Sequence, residues 1–244
     1  MDSQSGLRQK AATTQQEKHP HIPARHLIDR IVLGGSDGAI EAVAMTAALN
    51  GAGVGFSTIV LAGFAFAVAG AVSMFFSTFL SRRSELASLR IDIEREKMEI
   101  ETEPEEESAE LEGLLKKDGY GEKEVEVIMA RLRKDKGLWL REQLARELRV
   151  HVEDLSSDSI SRPAMAGLAF FVLAILAILP YALPISHVNA LGVSILVSLV
   201  ALFALGSRAM TPSNFRISLG LESAVVGGVA AALMYLLGIA VSYL

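Results

Sequence analysis

The hydrophobic residues of this chain fall in long runs, and most of its charges fall between them. Residues 42 to 81 carry no charged side chain, residues 163 to 207 carry only the imidazole of His187, and residues 217 to 244 carry only Glu222. A helix needs about 20 largely apolar residues to cross a hydrocarbon core about 30 Å thick, because each residue adds about 1.5 Å. Five segments meet that requirement: Ile31 to Ala48, Phe56 to Ser81, Pro163 to Leu179, Val188 to Leu205 and Ile217 to Tyr243. The first stops at the turn signal Asn50-Gly51-Ala52-Gly53, and the third stops at Pro180 and Pro184. An odd number of spans places the two termini on opposite sides of the membrane.

No breaker separates the second span from the charged stretch after it. From Phe64 to Glu103 the only glycine is Gly70, and Leu86, Leu89 and Ile93 keep helical spacing. The second helix is therefore expected to run on to Pro104, so that Arg82 to Glu103 project roughly 30 Å beyond the bilayer. Three more helices are expected: Glu105 to Lys117, ending at Asp118-Gly119; Glu122 to Lys134; and Leu138 to Asp154, which returns to the membrane through a Ser-rich linker. The fold expected is an all-α membrane protein of five transmembrane helices, with a helical domain inserted between spans two and three. Its divisions are a flexible arm over 1–28, spans one and two over 29–81, the insert over 82–158, and spans three to five over 159–244.

Charge sets the orientation. The chain is 51% hydrophobic and 21% charged, and residues 82 to 158 hold 15 of the 23 Lys and Arg and 22 of the 28 Asp and Glu. Outside the insert, basic residues sit in the N-terminal arm (Arg8, Lys10, Lys18, Arg25, Arg30), at Arg162, and between spans four and five (Arg208, Arg216). The loops from Asn50 to Phe56 and from Pro180 to Asn189 have none. The positive-inside rule then makes the N-terminus and insert cytosolic and the C-terminus extracytosolic. The chain has no Cys, which excludes disulfide scaffolds, thiolate metal sites and cysteine nucleophiles. A net charge of −5 provides no footprint for nucleic acid. The first 27 residues are polar and lack the apolar core of a secretory signal, so a prokaryotic plasma membrane is favoured over a vacuolar one.

The few acids among the apolar runs are costly and therefore informative. Asp37 and Glu41 lie four residues apart on one face of span one, and Met45 continues that face. Each such carboxylate costs about 2.5–3.5 kcal/mol at a bilayer centre, so the pair needs a partner, a proton or a cation. They either sit shallow at the cytosolic edge or line a path for a cation or proton with Met45. Glu222 lies one or two turns into span five. Met74 in span two is either apolar filling or a soft ligand.

The insert carries an acidic ladder. Between Asp92 and Glu112 there are 11 acids against Arg95 and Lys97 alone. The like-charged pairs Glu96/Glu99, Glu103/Glu106 and Glu107/Glu110 each weaken a helix by a few tenths of a kcal/mol. A solvated helix face accounts for such a run, and so does a surface that collects Fe²⁺, Mn²⁺ or Ca²⁺, the hard divalent ions suited to carboxylates.

From about Arg30 to the C-terminus the chain resembles the vacuolar iron transporter family. The resemblance rests on Ser36-Asp37-Gly38, on Gly70-Ala71-Val72-Ser73-Met74, and on Glu96-x-x-Glu99, Pro104 and Glu107-x-x-Glu110 followed by Trp139-Leu140 and Glu147-Leu148. It implies a homodimer in which Glu96, Glu99, Glu107, Glu110 and Glu147 of a cytosolic domain gather metal ions. It further implies that Asp37 and Met74 hold the ion in the membrane and that export is coupled to proton entry. Two positions depart from the pattern. Phe66 stands where plant-type members have a Glu, a carboxylate that Glu41 is placed to supply. Gln143 and Leu144 stand where some members have a Met pair. The function expected is a proton-coupled exporter of Fe²⁺ or Mn²⁺, with Asp37, Glu41, Met45, Met74 and Glu222 along its path. No enzymatic activity and no cofactor beyond the transported ion are expected. The expected partners are divalent ions, protons, the lipid bilayer and a second copy of the chain. A membrane-anchored metal sensor or scaffold and a passive divalent-cation channel are the alternatives.

Overall fold

The structure is a computed structural model and describes residues 23–148, 160–208 and 216–244, with side chains from residue 28 onwards. The described residues are helices joined by turns, with no strand among them. They form two compact units: one comprises residues up to Phe76 together with those from Ser161 on, and the other runs from Ser77 to Ile160.

Helices α1 (Pro23–Gly51), α6 (Ser161–Ile178), α7 (His187–Arg208) and α8 (Ile217–Ser242) build the first unit with the opening turns of α2 (Phe56–Thr102). A short 3-10 turn, Leu179–Ala182, follows α6 where Pro180 cannot continue an α-helix. Five helical segments are long and apolar enough to cross a membrane: Ile28–Gly51, Phe56–Thr102, Ser161–Ala182, His187–Arg208 and Ile217–Ser242. They coincide with the five expected spans, with ends displaced by a few residues. The largest shift is at α1, which starts at Pro23 rather than Ile31. Proline is suited to a first helical position, and nothing between it and Ile31 breaks a helix.

Helix α1 is the centre of this unit and packs most extensively against α6 and α8. Small residues make the close approach possible. A Cβ on Gly34 would overlap the carbonyl of Ala166, and one on Gly38 would overlap the carbonyl of Phe170. This is the small-xxx-small geometry by which membrane helices gain van der Waals contact where lipid supplies no hydrophobic drive. The first half of α2 lies on α6, with Gly70 against the Phe170 ring and Ala67 buried in a cluster with Ala42, Phe170, Ala174 and Ile178. It exposes Leu61, Phe64, Val68, Val72 and Phe76, a stripe at helical spacing suited to lipid.

The second unit holds the last turns of α2 with α3 (Pro104–Lys117), α4 (Glu122–Leu132) and α5 (Lys136–Arg146). As the spacing predicts, α2 continues unbroken to Thr102, and Pro104 opens α3. Gly119 has φ of +99° in the turn after α3, a conformation that favours glycine. Apolar faces from all four helices meet at Ile100, Leu111, Leu115, Val125, Met129, Leu132 and Trp139. Two expected boundaries are corrected. Helix α4 stops at Leu132, and α5 runs from Lys136 to Arg146 instead of Leu138 to Asp154. Asp135 sets the start of α5, since its carboxylate accepts the amide of Leu138 at 3.1 Å as an N-cap. Glu147 is the C-cap, and residues 149–154 of the expected helix lie outside the described residues.

Candidate functional site

Three helices bring carboxylates together in the Ser77–Ile160 unit. The end of α2 supplies Glu96 and Glu99, the break at Pro104 turns the chain, and α3 supplies Glu107 and Glu110. The stripe Trp139, Gln143 and Glu147 recurs every four residues along α5 and its cap. Burial of Trp139 in the core, at 3% exposure, turns Gln143 inward as well. Glu96, Glu107 and Gln143 are buried, with exposures of 2%, 7% and 0%. Glu99 and Glu147 are half-buried, and Glu110 is exposed.

Gln143 ties two of these carboxylates together. The Gln143 amide donates from Nε2 to Glu107 Oε2 at 2.9 Å and to Glu147 Oε2 at 3.1 Å. The Glu147 carboxylate acts on Glu96 from close by. Burial foremost, then the charges of Glu147, Glu107 and Glu99, pushes the Glu96 carboxyl up to about 7. Burial also raises Glu107, followed by the charges of Glu110, Glu99 and Glu147. Glu96 therefore retains its proton close to neutrality. Arg95, itself half exposed, is the nearby cation, at 3.6 Å from Glu96 and 3.8 Å from Glu99. Two buried oxygens, Glu96 Oε2 and Gln143 Oε1, have no hydrogen-bond partner among the described residues.

Such a cluster holds more negative charge and more acceptor atoms than its surroundings satisfy, so it is chemically competent to take up protons or a divalent cation. Among the described residues no three Asp, Glu or His side chains converge closely enough to hold a metal ion as they stand. The Gln143 amide group lies between Glu107 and Glu147, where a cation would bring them together. Sequence reading marks Gln143 only as a departure from a family pattern. Its signal was the position four residues after a buried Trp and four before a Glu.

The intramembrane candidates lie in the other unit. Asp37, Glu41 and Met45 share one face of α1, with Asp37 and Met45 half-buried and Glu41 exposed. Met74 packs at the edge of the cluster around Ala42 and Phe170. Phe66 reaches the same cluster, with its ring 5.9 Å from that of Phe170. Glu222 is exposed and lines a cavity of about 320 Å³ with Ser223 and Leu202. From α1 that cavity takes Ser36 and Ile40, not Asp37 or Glu41.

The chain as a whole is similar to known proteins. A model of the VIT family matches residues 28–239. The chain belongs to the VIT family. The VIT-family match takes in all five apolar helices and the acidic unit. Similar proteins include "Vacuolar iron transporter 2" of Oryza sativa subsp. japonica, 29% identical over 213 residues, which are 87% of this chain and 86% of that protein. "Vacuolar iron transporter 1" of Tulipa gesneriana is 30% identical over 229 residues, 93% of this chain and 92% of that one. "Vacuolar iron transporter 1" of Eucalyptus grandis is 27% identical over 229 residues, 93% and 91% of the two chains.

Proposed function

We propose that this VIT-family chain carries divalent transition-metal ions, Fe²⁺ or Mn²⁺, out of the cytosol in exchange for protons. The observation that carries this reading is the cluster of Glu96, Glu107 and Glu147 around the buried Gln143, a set of carboxylates short of positive charge. It occurs in a chain whose relatives are named vacuolar iron transporters. In this reading the Ser77–Ile160 unit is a cytosolic metal-collecting insert, and two copies of the chain form the working unit. The ion enters the cluster as Glu96 gives up its proton and Glu107 and Glu147 exchange the Gln143 amide for metal. Glu99 and Glu110, nearer the surface, draw ions towards the buried members.

Passage through the membrane is assigned to Asp37, Glu41, Met45 and Met74, with Glu222 as a further carboxylate beside α1. Carboxylates bind the cation when ionised and release it when protonated, which couples metal and proton movement without a covalent step. Glu41 takes the part of the carboxylate that Phe66 does not provide. Metal-stimulated proton flux in proteoliposomes tests the proposal. With a pH gradient imposed, wild-type protein should accumulate Mn²⁺ or Fe²⁺ against its concentration gradient. Dissipation of metal gradients without uphill movement would show a channel instead. Metal binding without flux would show a sensor.

A further inference from the structure

At the end of the bundle where α1 and α6 begin, Asp29, Arg30, Leu33 and Arg162 line a cavity of about 320 Å³. Its depth follows from the elements that carry it. The apolar segments of the two helices start at Ile28 and Ser161, so both arginines lie within the first turn of a span, at headgroup level. Leu33 lies one turn deeper, about 4.5 Å along the axis from Arg30. Its side chain is 43% exposed, at the depth where acyl chains begin. Both arginines are half-buried. Among the described residues neither guanidinium is held in an ion pair or hydrogen bond, although Asp29 lines the same cavity.

From this geometry we infer that the cavity is a binding site for the phosphate of an anionic phospholipid, gripped by Arg30 and Arg162 with its acyl chain along Leu33. Guanidinium forks match phosphate oxygens with paired hydrogen bonds, and two forks facing one cavity suit one phosphate better than two unrelated lipids. Basic pockets between membrane helices at the headgroup level select anionic lipids for this reason. The inference rests on the five helices spanning a bilayer and not on which ion is carried. It has a consequence for transport. Arg30 lies seven residues before Asp37 on α1, about 10 Å along the axis, so a bound phosphate offsets positive charge that opposes a cation approaching Asp37.

Native mass spectrometry of the full chain released from detergent, titrated with phosphatidylglycerol or phosphatidylcholine, tests the site. Wild-type protein should retain one phosphatidylglycerol per protomer more tightly than any later one, and more tightly than phosphatidylcholine. Arg30→Gln with Arg162→Gln should weaken that first phosphatidylglycerol about tenfold or more, at about 1 kcal/mol per arginine, whereas Arg216→Gln should leave it unchanged. Equal loss in Arg216→Gln would reduce the effect to general surface charge and overturn the site, as would full retention in the double variant. If the double variant fails to fold, Arg162→Gln alone should still weaken the first lipid, and no change there overturns the inference. Inorganic phosphate is the second probe. Displacement of the lipid by millimolar phosphate would make this a soluble-anion site and sink the lipid assignment. A chain that purifies without detergent would instead refute the membrane reading beneath it.

Discussion

Gln143 concentrates the chemistry of the acidic unit into one side chain. Its amide donates to two carboxylates from a position with no solvent exposure. Removing the amide leaves Glu107 and Glu147 facing each other with neither donor nor cation, and each buried group left unsatisfied costs about 1–3 kcal/mol. Gln143→Leu should therefore lower the thermal midpoint of the ion-free protein, and saturating Mn²⁺ should restore most of the loss. A midpoint unchanged in the absence of ion would mean that the amide does not hold the cluster. Glu96 adds a pH dependence whose sign is determined. Its carboxyl is raised from 4.5 to about 7, so between those values the folded chain holds a proton that the unfolded chain has lost. The contribution of this group to stability is full below pH 4.5 and is lost as pH rises to about 7. Metal affinity should run the other way, rising with pH until Glu96 is ionised and levelling off above about 7. Glu96→Gln should flatten both profiles in calorimetry and thermal unfolding.

At the scale of elements, local signals and packing divide the work. The continuity of α2 from Phe56 to Thr102 was legible because Gly70 is its only glycine after Phe64 and Pro104 is its first breaker. The start of α5 had a signal in Asp135, whose capping bond to Leu138 moves the helix two residues earlier than its apolar spacing indicates. Its end at Arg146 had none. Glu147 caps the helix with its backbone N–H on the Gln143 carbonyl. Glycines show the same division. Gly38 reads as an ordinary small residue until α6 is in place, with the Phe170 carbonyl against its Cα. Gly38→Leu should separate α1 from α6 and cost about 1–3 kcal/mol or more, seen as a lower midpoint in detergent. Gly113 faces open space within α3, so Gly113→Ala should instead stabilise by about 0.5–1 kcal/mol. Equal effects in the two variants would refute the close packing of α1 on α6.

At the scale of the whole molecule, the proposed function assigns ion collection and ion passage to different units, and paired variants test that division. Glu107→Gln with Glu147→Gln should reduce calorimetric binding of Mn²⁺ about tenfold or more, since each lost carboxylate ligand removes charge from a buried site. The five apolar helices should keep their thermal midpoint. Asp37→Asn should leave that binding intact and abolish uphill transport in proteoliposomes. If Asp37→Asn transports like wild type, the membrane path assigned here is wrong. The sequence by itself determined the class of the molecule. Apolar runs of spanning length, a helix with no breaker and an acidic ladder are properties of neighbouring residues, and burial of backbone polar groups in lipid leaves a chain little choice but helix. Tertiary structure alone decided which acids of the ladder are buried, that the Gln143 amide stands between Glu107 and Glu147, and that Glu222 opens on Ser36 and Ile40 rather than on Asp37. Those outcomes depend on which faces of separate helices meet, and residue spacing along one helix carries no information about the rotation of its neighbours.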